Sequence, residues 1–307
     1  MRSYYKIMLG KKSIHAQECL EGHFIGADYG MKLDLTPYLV DDWREFNHEL
    51  IPVYLKNFPN KSKIAAGLAC GALWTISTGL REGDIVVCPD GHARFRFGEV
   101  MGPYEYHPGE ILPHRRKVKW FDTAIPRREA SEALRSSTNS QGTATDLTQH
   151  AEEIEGYIAG KNPVTEDGFH TMDSSTSFAL EKHLEDFLVQ NWSQTELGKD
   201  YDILEEEGEL VGQQYPSDTG PIDILAISKD KKTLLVVELK KGRASDNVVG
   251  QIQRYMGYVM EELAEEDQQV KGVIIALDDD RKIRRALSVN NNIEFYRYQV
   301  NFKLFKS

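Results

Sequence analysis

The second half of the chain alternates between apolar runs of helical spacing and shorter apolar runs typical of strands. Helical spacing is clearest over 177–191, where Phe178, Leu184 and Leu188 recur on one side. The predicted helices are 177–191, 246–265 and 281–287, and the predicted strands are 209–213, 221–228, 233–240, 270–277 and 293–304, the last as one or two strands. The order α-β-β-β-α-β-α-β predicts an α/β domain, a mixed sheet flanked by helices.

The first 160 residues have a less regular pattern. Strands are predicted over 4–9, 23–27, 84–88, 93–100 and 117–121, and helices over 40–56, 61–78, 129–135 and 146–158. This mixture predicts an α+β domain with a small, curved or barrel-type sheet. The polar segment 160–175 carries Gly and Pro without apolar periodicity. We therefore expect a domain over 1–160, a linker over 161–176 and a second domain over 177–307.

Composition excludes several classes of protein. No run of about 18 apolar residues occurs, so no membrane span is predicted, and the first residues lack the apolar stretch of a secretory signal. Cys19, Cys70 and Cys88 are widely spaced and form no CxxC pair, which indicates reduced, buried thiols in a cytoplasmic protein and no zinc site. No Walker-type motif occurs, so no NTPase motor is recognisable.

The net charge of −11 argues against a protein that coats nucleic acid by bulk electrostatics. Basic residues nevertheless collect in short runs at 114–119, 240–243 and 281–285. Such patches on an acidic body are compatible with selective binding. The alternative for each run is a solvated surface.

The segment 233–241, TLLVVELKK, carries charged residues at the end of an apolar run. Its apolar residues 234–237 occupy both faces, which predicts a central, buried strand. Because alternate side chains of a strand share a face, Glu238 and Lys240 project together. The preceding strand contains a single acid, Asp223, and the polar turn between the two strands predicts an antiparallel hairpin that brings Asp223 close to Glu238.

Two carboxylates and an ammonium group on one sheet face suit the hydrolysis of a phosphodiester. Asp and Glu oxygens hold Mg²⁺, which activates water and stabilises charge on phosphorus. Lys240 can position or deprotonate the attacking water. The alternative is an exposed Glu–Lys pair beside an unrelated Asp, and the position of Asp223 on the hairpin strand favours a site.

The segment 209–259 resembles the C-terminal nuclease domain of the NucS endonuclease family, a branch of the PD-(D/E)XK superfamily. The resemblance implies a restriction-endonuclease-like fold over the second domain and Mg²⁺ as the cofactor, with Mn²⁺ as a substitute. It also implies that Asp223 and Glu238 bind the metal and that Glu238 and Lys240 are the ExK pair of the catalytic centre. The proline adjacent to the acid in the family's PD motif is displaced by one residue here, to Pro221.

The resemblance extends to the neighbouring helices. Gln251, within GQIQRY, is similar to the glutamine that points back at the site, and Arg254 and Tyr255 complete that helical signature. The family implies a further catalytic acid on the preceding helix. Glu181 matches it best, Glu185 is the alternative, and a solvent-facing role is open for both.

Basic residues just past the strand are candidates for holding the phosphates that flank the cut. They are Lys241 and Arg243, together with Arg254 on the following helix. As phosphate contacts they would set the position of the nucleic acid and not read its sequence.

The run 83–127 resembles PUA/EVE-like domains that are fused to Mrr-like restriction nucleases. The resemblance implies a nucleic-acid-recognition domain that reads modified bases in an aromatic pocket, where each stacked base is worth roughly 1–3 kcal/mol. The candidate pocket aromatics are Tyr29, Trp74, Tyr104, Tyr106 and Trp120, with Tyr104 and Tyr106 preferred. Arg115, Arg116 and Lys117 are candidate contacts to the nucleic-acid backbone. The alternative for each aromatic is a place in the core.

These observations predict a metal-dependent DNA endonuclease of bacterial restriction or antiphage defence, whose first domain selects DNA, including modified DNA. The alternatives are a repair nuclease acting on mismatched or branched DNA, and a non-catalytic reader of nucleic acid. RNA stays open as a substrate. The expected partner is DNA, with no membrane. Because one such site cuts one strand, a homodimer is a candidate assembly, and defence-system proteins are candidate partners.

Overall fold

The computed structural model describes residues 2–139, 142–161, 174–206 and 208–299, and in the helix that begins at Ser174 it describes side chains from Lys182 onward. The chain divides into two compact units, Met1–Met172 and Asp173–Ser307. Residues 162–173, which are most of the predicted linker, lie outside the described residues. Across the described residues, no helix combines the length and the apolarity of a membrane span.

The N-terminal unit is built on a mixed sheet with the strand order β2-β5-β4-β3-β1-β6. The strands are β1 (Tyr4–Ile7), β2 (Phe24–Ala27), β3 (Ile85–Pro89), β4 (Arg94–Tyr106), β5 (His114–Pro126) and β6 (Ala144–Asp146). The helices are α1 (Ala16–Glu21), α2 (Trp43–Asn57), α3 (Lys63–Trp74), α4 (Glu132–Ser137) and α5 (Ala151–Ile158). Strands β1 and β3 are parallel and the other neighbours are antiparallel.

Two long helices, α2 and α3, pack on part of this sheet through their apolar faces. A side-chain cap fixes the start of each helix. Asp42 accepts a hydrogen bond from the Glu45 N–H to begin α2, and Ser62 accepts one from Ala65 to begin α3. Residues of both helices, of α1 and of the strands share one core. A second core, with Leu134 of α4, lies among α4, α5 and the long strands.

The predicted barrel is not confirmed. The strand order is an open path that ends at β2 and β6, and among the described residues no ladder joins these two edges. The strand β6 also replaces the start of the helix predicted over 146–158, because residues 144–146 pair with β1 and the helix α5 begins only at Ala151. The α+β character of the unit agrees with the prediction.

The C-terminal unit has the predicted mixed sheet, with the order β10-β11-β12-β13-β14 and with β7 also paired to β11. The strands are β7 (Tyr201–Ile203), β8 (Glu205–Glu206), β9 (Glu209–Leu210), β10 (Gln213–Tyr215), β11 (Ile222–Ser228), β12 (Thr233–Arg243), β13 (Gln269–Asp278) and β14 (Ile293–Arg297). The helices are α6 (Ser174–Gln190), α7 (Asn247–Tyr258) and α8 (Arg281–Leu287). The single strand predicted over 209–213 is divided between β9 and β10, and residues 300–304 of the last predicted strand lie outside the described residues.

Strand β12 is the centre of this sheet. It is antiparallel to β11 and parallel to β13, and α7 forms the crossover between β12 and β13. Val237 and Leu239 pack in a core with Leu184 and Leu188 of α6. Because side chains alternate along a strand, Glu238 and Lys240 project from the opposite face.

Candidate active site

The hairpin of β11 and β12 brings together three of the residues predicted to be catalytic, Asp223, Glu238 and Lys240. The register of the two strands places Asp223 beside Glu238. Lys240 lies two residues further along β12, and its Nζ donates to Glu238 Oε1 at 2.7 Å. Asp223 Oδ2 accepts from the main-chain N–H of Leu239 at 2.8 Å. The geometry that the alternation of β12 predicted is therefore present.

This cluster lies where the buried centre of the sheet meets solvent. The side chain of Glu238 is 2% exposed and that of Lys240 is 30% exposed, while Asp223 is half-buried. A charged group in such a place is stable only when it is paired or hydrogen-bonded. The ion pair between Lys240 and Glu238 and the main-chain donor to Asp223 meet that requirement.

Acidic groups crowd around Asp223. Burial, followed by the charges of Glu238 and Glu185, raises the pKa of Asp223 well above its ordinary value, and the Leu239 N–H and the charge of Lys240 oppose that rise. A divalent cation would relieve this repulsion. Carboxylate oxygens are the ligands that Mg²⁺ prefers, and it is commonly held through one or two of them. The residues present therefore fit such an ion, and Asp223 and Glu238 are the carboxylates that would hold it.

Among the described residues the structure shows no larger metal cage. In the part of the chain that it describes, no three His, Cys, Asp or Glu side chains form a group that could hold a metal ion. The fit to a cation rests on the chemistry of the two carboxylates on β11 and β12.

Helix α6 contributes Glu185 to the site. This buried carboxylate accepts from Gln213 Nε2 at Oε1 (2.7 Å) and from Gln214 Nε2 at Oε2 (2.5 Å). Gln214 Nε2 also donates to Asp223 Oδ1 at 3.2 Å, which links the helix to the strand. The side chain of Glu181, the preferred acid in the sequence analysis, lies outside the described residues. The acid that the structure shows at the site is the alternative, Glu185.

Lys182 extends this network on the helix side. Its buried Nζ lies 2.5 Å from Glu185 Oε1 and 3.3 Å from Asp186 Oδ1. Burial raises the pKa of Glu185, and the charge of Lys182 lowers it. Three residues of this network were not predicted from the sequence: Lys182, Gln213 and Gln214. Helical spacing places Lys182 on the face of Glu185, but the contact of α6 with β10 is visible only in the fold.

Helix α7 borders the site through Tyr255 and Gln251. Gln251 Nε2 donates to Tyr255 Oη at 3.3 Å. Burial raises the pKa of Tyr255, and the charges of Glu238 and Asp223 raise it further, so the phenol lies within their field. The hydrogen bond of Gln251 in this structure goes to that phenol, so Tyr255 is the link between Gln251 and the field of the two acids.

The three candidate phosphate contacts differ in exposure. Arg254 and Arg243 are exposed, and Lys241 is half-buried. Arg243 Nε donates to the main-chain oxygen of Asp279 at 3.1 Å, and the main-chain oxygen of Lys241 accepts from Tyr298 Oη. Both arginines are therefore accessible from solvent, as a phosphate contact requires.

Arg115 and Arg116 in the N-terminal unit do not have the positions expected of nucleic-acid contacts. Both are buried, and their guanidinium groups donate to main-chain oxygens: Arg115 to those of residues 111 and 112, and Arg116 to those of residues 76, 80 and 102. Arg115 also pairs with Glu110 and stacks on Phe24. These arginines hold loops together, and the exposed cations of the run 114–119 are Lys117 and Lys119.

Most of the candidate pocket aromatics are bonded within the unit. Tyr104 Oη accepts from the Leu35 N–H at 3.2 Å and lies 2.8 Å from His114 Nδ1. Three other aromatics form hydrogen bonds. Trp120 Nε1 donates to the main-chain oxygen of Cys19, Trp74 Nε1 donates to that of Val40, and the hydroxyl of Tyr29 hydrogen-bonds that of Thr143. These contacts favour the alternative, a place in the core. Tyr106 is half-buried, with its ring 5.2 Å from that of His114.

Two family models match the chain, one in each unit. Residues 181–303 match the model described as the Endonuclease NucS C-terminal domain. Residues 5–148 match a domain of unknown function, DUF8426, so the PUA/EVE-like resemblance and the Mrr-type fusion are not confirmed.

One curated relative is Endonuclease NucS of Methanocaldococcus jannaschii. It is 30% identical over 96 residues, which are 31% of this chain and 35% of that protein. The chain therefore spans about a third of the relative's length.

The similar solved structures include an EndoMS–dsDNA2 complex, with 13% identity and a TM-score of 0.33, covering 68% of this chain and 62% of that one. A repair endonuclease from Pyrococcus abyssi has 14% identity and a TM-score of 0.32, covering 69% and 66%.

Proposed function

We propose that this chain is a metal-dependent DNA endonuclease and that its C-terminal unit hydrolyses the phosphodiester bond. The observation that carries the proposal is that Asp223, Glu238 and Lys240 lie close together on the adjacent strands β11 and β12. The match of residues 181–303 to the NucS C-terminal domain supports it independently of that geometry. Two carboxylates and an ammonium group beside a solvent boundary are the groups that phosphodiester hydrolysis needs.

Each side chain has a distinct part in this proposal. Asp223 and Glu238 would hold Mg²⁺, with Mn²⁺ as a substitute, and the bound ion supplies Lewis-acid activation of water and phosphate. Lys240 lies 2.7 Å from Glu238 and adds positive charge where a phosphate would develop negative charge. Glu185 is the acid of the helix, and Gln251 and Tyr255 border the reacting phosphate.

Two biological roles are compatible with this reaction. A repair nuclease on mismatched or branched DNA is favoured by the match to the NucS C-terminal domain and by the NucS relative. A restriction or antiphage nuclease is favoured by the separate N-terminal unit, which matches the DUF8426 domain and would select the target. The chemistry is the same in both, and the substrate distinguishes them.

A cleavage assay tests the proposal. The full chain is incubated with Mg²⁺ or Mn²⁺ and with plain duplex, modified phage DNA, mismatched duplex, branched DNA and structured RNA. The Asp223→Ala and Lys240→Ala variants are expected to lose roughly 100-fold or more of the activity, the scale of removing a preorganised charge-stabilising group. The matched control is Lys199→Ala, an exposed lysine whose Nζ pairs with Glu196.

The outcomes separate the alternatives. Preference for mismatched or branched DNA supports repair, preference for modified DNA supports restriction, and preference for RNA contradicts the assignment to DNA. Absence of metal-dependent cleavage on every substrate, or equal cleavage by both variants and the parent protein, contradicts the catalytic assignment.

A further inference from the structure

A glutamine that no motif assigns joins two of the acids at the site. Gln214 lies in β10 between two residues that pair with β11, and this register places it opposite Asp223. Its Nε2 donates to Asp223 Oδ1 at 3.2 Å and to Glu185 Oε2 at 2.5 Å. A single amide therefore connects the acid of the strand to the acid of helix α6.

The backbone of Gln214 is unusual for its residue type. Its φ is 51°, in the left-handed region that favours glycine and, among the other residues, asparagine. Such a conformation persists only where the surrounding structure holds it, and it is concentrated at functional sites. Here it occurs within a strand, at the residue whose side chain bridges the acids.

The bridge fixes the orientation of Asp223. One carboxylate oxygen accepts from the Leu239 N–H at 2.8 Å, and the other accepts from Gln214. A carboxylate that is held at both oxygens cannot rotate freely beside Glu238. Glu185 is held in the same way, by Gln214 at Oε2 and by Gln213 and Lys182 at Oε1.

We propose that Gln214 is a positioning residue of the metal site, which holds Asp223 in the orientation that a divalent cation requires. This inference rests on the proposed function, because it presupposes that Asp223 and Glu238 bind the ion. Hydrogen-bonding partners of ligating carboxylates typically contribute 10–100-fold to metal affinity. Gln214 acts through the orientation of Asp223 and does not itself touch the substrate.

The test measures Mn²⁺ binding to the full chain by titration calorimetry without DNA. Gln214→Gly removes the amide and suits the backbone, and Gln214→Asn keeps an amide that is one methylene shorter and tolerates the same φ. The matched control is Lys231→Gly in the β11–β12 turn, where another non-glycine residue has a φ of 63°. Metal-free unfolding in urea is measured for every variant.

Both Gln214 variants are expected to bind Mn²⁺ about 10–100-fold more weakly than the parent protein, and Lys231→Gly to bind it equally well. Equal Mn²⁺ affinity in Gln214→Gly and the parent, whatever their metal-free stabilities, would show that the residue has only a structural role and overturn the inference. A comparable loss in Lys231→Gly would also overturn it, since the loss would then follow from glycine alone. Absence of Mn²⁺ binding in the parent protein would instead overturn the proposed function, and the inference with it.

Discussion

The burial of charged residues has different consequences in the two units. At the C-terminal site, Glu238 and Glu185 are buried beside Asp223, and the resulting repulsion is the feature that a cation would relieve. In the N-terminal unit, Lys6 is fully buried on β1, and its Nζ donates to the main-chain oxygen of Gly142 at 2.6 Å. A buried ammonium that hydrogen-bonds an uncharged carbonyl retains much of its desolvation penalty. The burial of Lys6 therefore lowers the stability of the fold.

Replacing Lys6 with methionine is expected to change the pH dependence of stability. Burial, with the charge of Arg127, lowers the pKa of Lys6 from 10.5 to about 7. Between pH 10.5 and about 7 the lysine is protonated in the unfolded chain but not in the folded chain. The parent protein therefore loses stability as the pH falls through that window. The loss is complete below pH about 7, where both forms are protonated. The Lys6→Met variant has no such titration.

Urea unfolding at several pH values between these limits measures the effect. The free energy of unfolding of Lys6→Met relative to the parent should rise by a few kcal/mol, at roughly 1.4 kcal/mol for each pH unit within the window, as the pH falls. The control for replacing a lysine with methionine at the surface is the exposed Lys32→Met. A flat difference for Lys6→Met would mean that this lysine stays charged in the folded protein.

At the scale of elements, the β11–β12 hairpin and its crossover to β13 carry the site. Their predictability follows from local signals: a continuous apolar run, a polar turn and alternation at Glu238 and Lys240. Strand β6 was missed because it exists only through pairing with β1, more than a hundred residues away. The burial of Arg115 and Arg116 was not predicted for a related reason. The sequence shows that these residues are charged, but it does not show that the fold buries them.

The contact between α7 and β13 is the packing that sets Gln251 and Tyr255 near the site. A Cβ at Gly272 would lie 2.7 Å from Met256 Sδ and 2.9 Å from Ile252 Cδ1. Both are the ends of flexible side chains, so Gly272→Ala is expected to fold but to lose about 1–3 kcal/mol of stability through overpacking. Because the displaced helix carries Gln251 and Tyr255, cleavage should fall as well.

The control for this change is Gly257→Ala in the same helix, where an added Cβ would meet nothing within 4 Å. That variant should gain about 0.5–1 kcal/mol from helix propensity and cleave normally. A double variant, Gly272→Ala with Met256→Ala, removes the nearer of the two contacts and should recover part of the cleavage lost in Gly272→Ala. If Gly272→Ala cleaves DNA as fast as the parent protein, the close packing of α7 is not what positions its side chains at the site.

At the scale of the whole molecule, the proposed function requires an acidic protein to bind a polyanion. The net charge of −11 opposes association with DNA at long range, so binding has to depend on a few local cations. The cations predicted to contact phosphates are half-buried Lys241 and the exposed Arg243 and Arg254, and Lys240 lies in the site itself. Each phosphate contact releases a counterion, so the number of such contacts sets the salt dependence of binding.

Arg243→Ala and Arg254→Ala, each in an Asp223→Ala background that prevents cleavage, are expected to reduce the steepness of log Kd against log salt by about 1. Fluorescence anisotropy between roughly 50 and 200 mM salt covers the range in which such slopes are measurable. The loss of affinity should be uniform across DNA sequences, because phosphate contacts position a duplex without reading it. Lys199→Ala should leave the slope unchanged, since Lys199 pairs with Glu196 in a turn outside the site. An unchanged slope in both arginine variants would place the bound DNA on another surface, and the exposed arginines beside β12 would then be solvated charges with no part in binding.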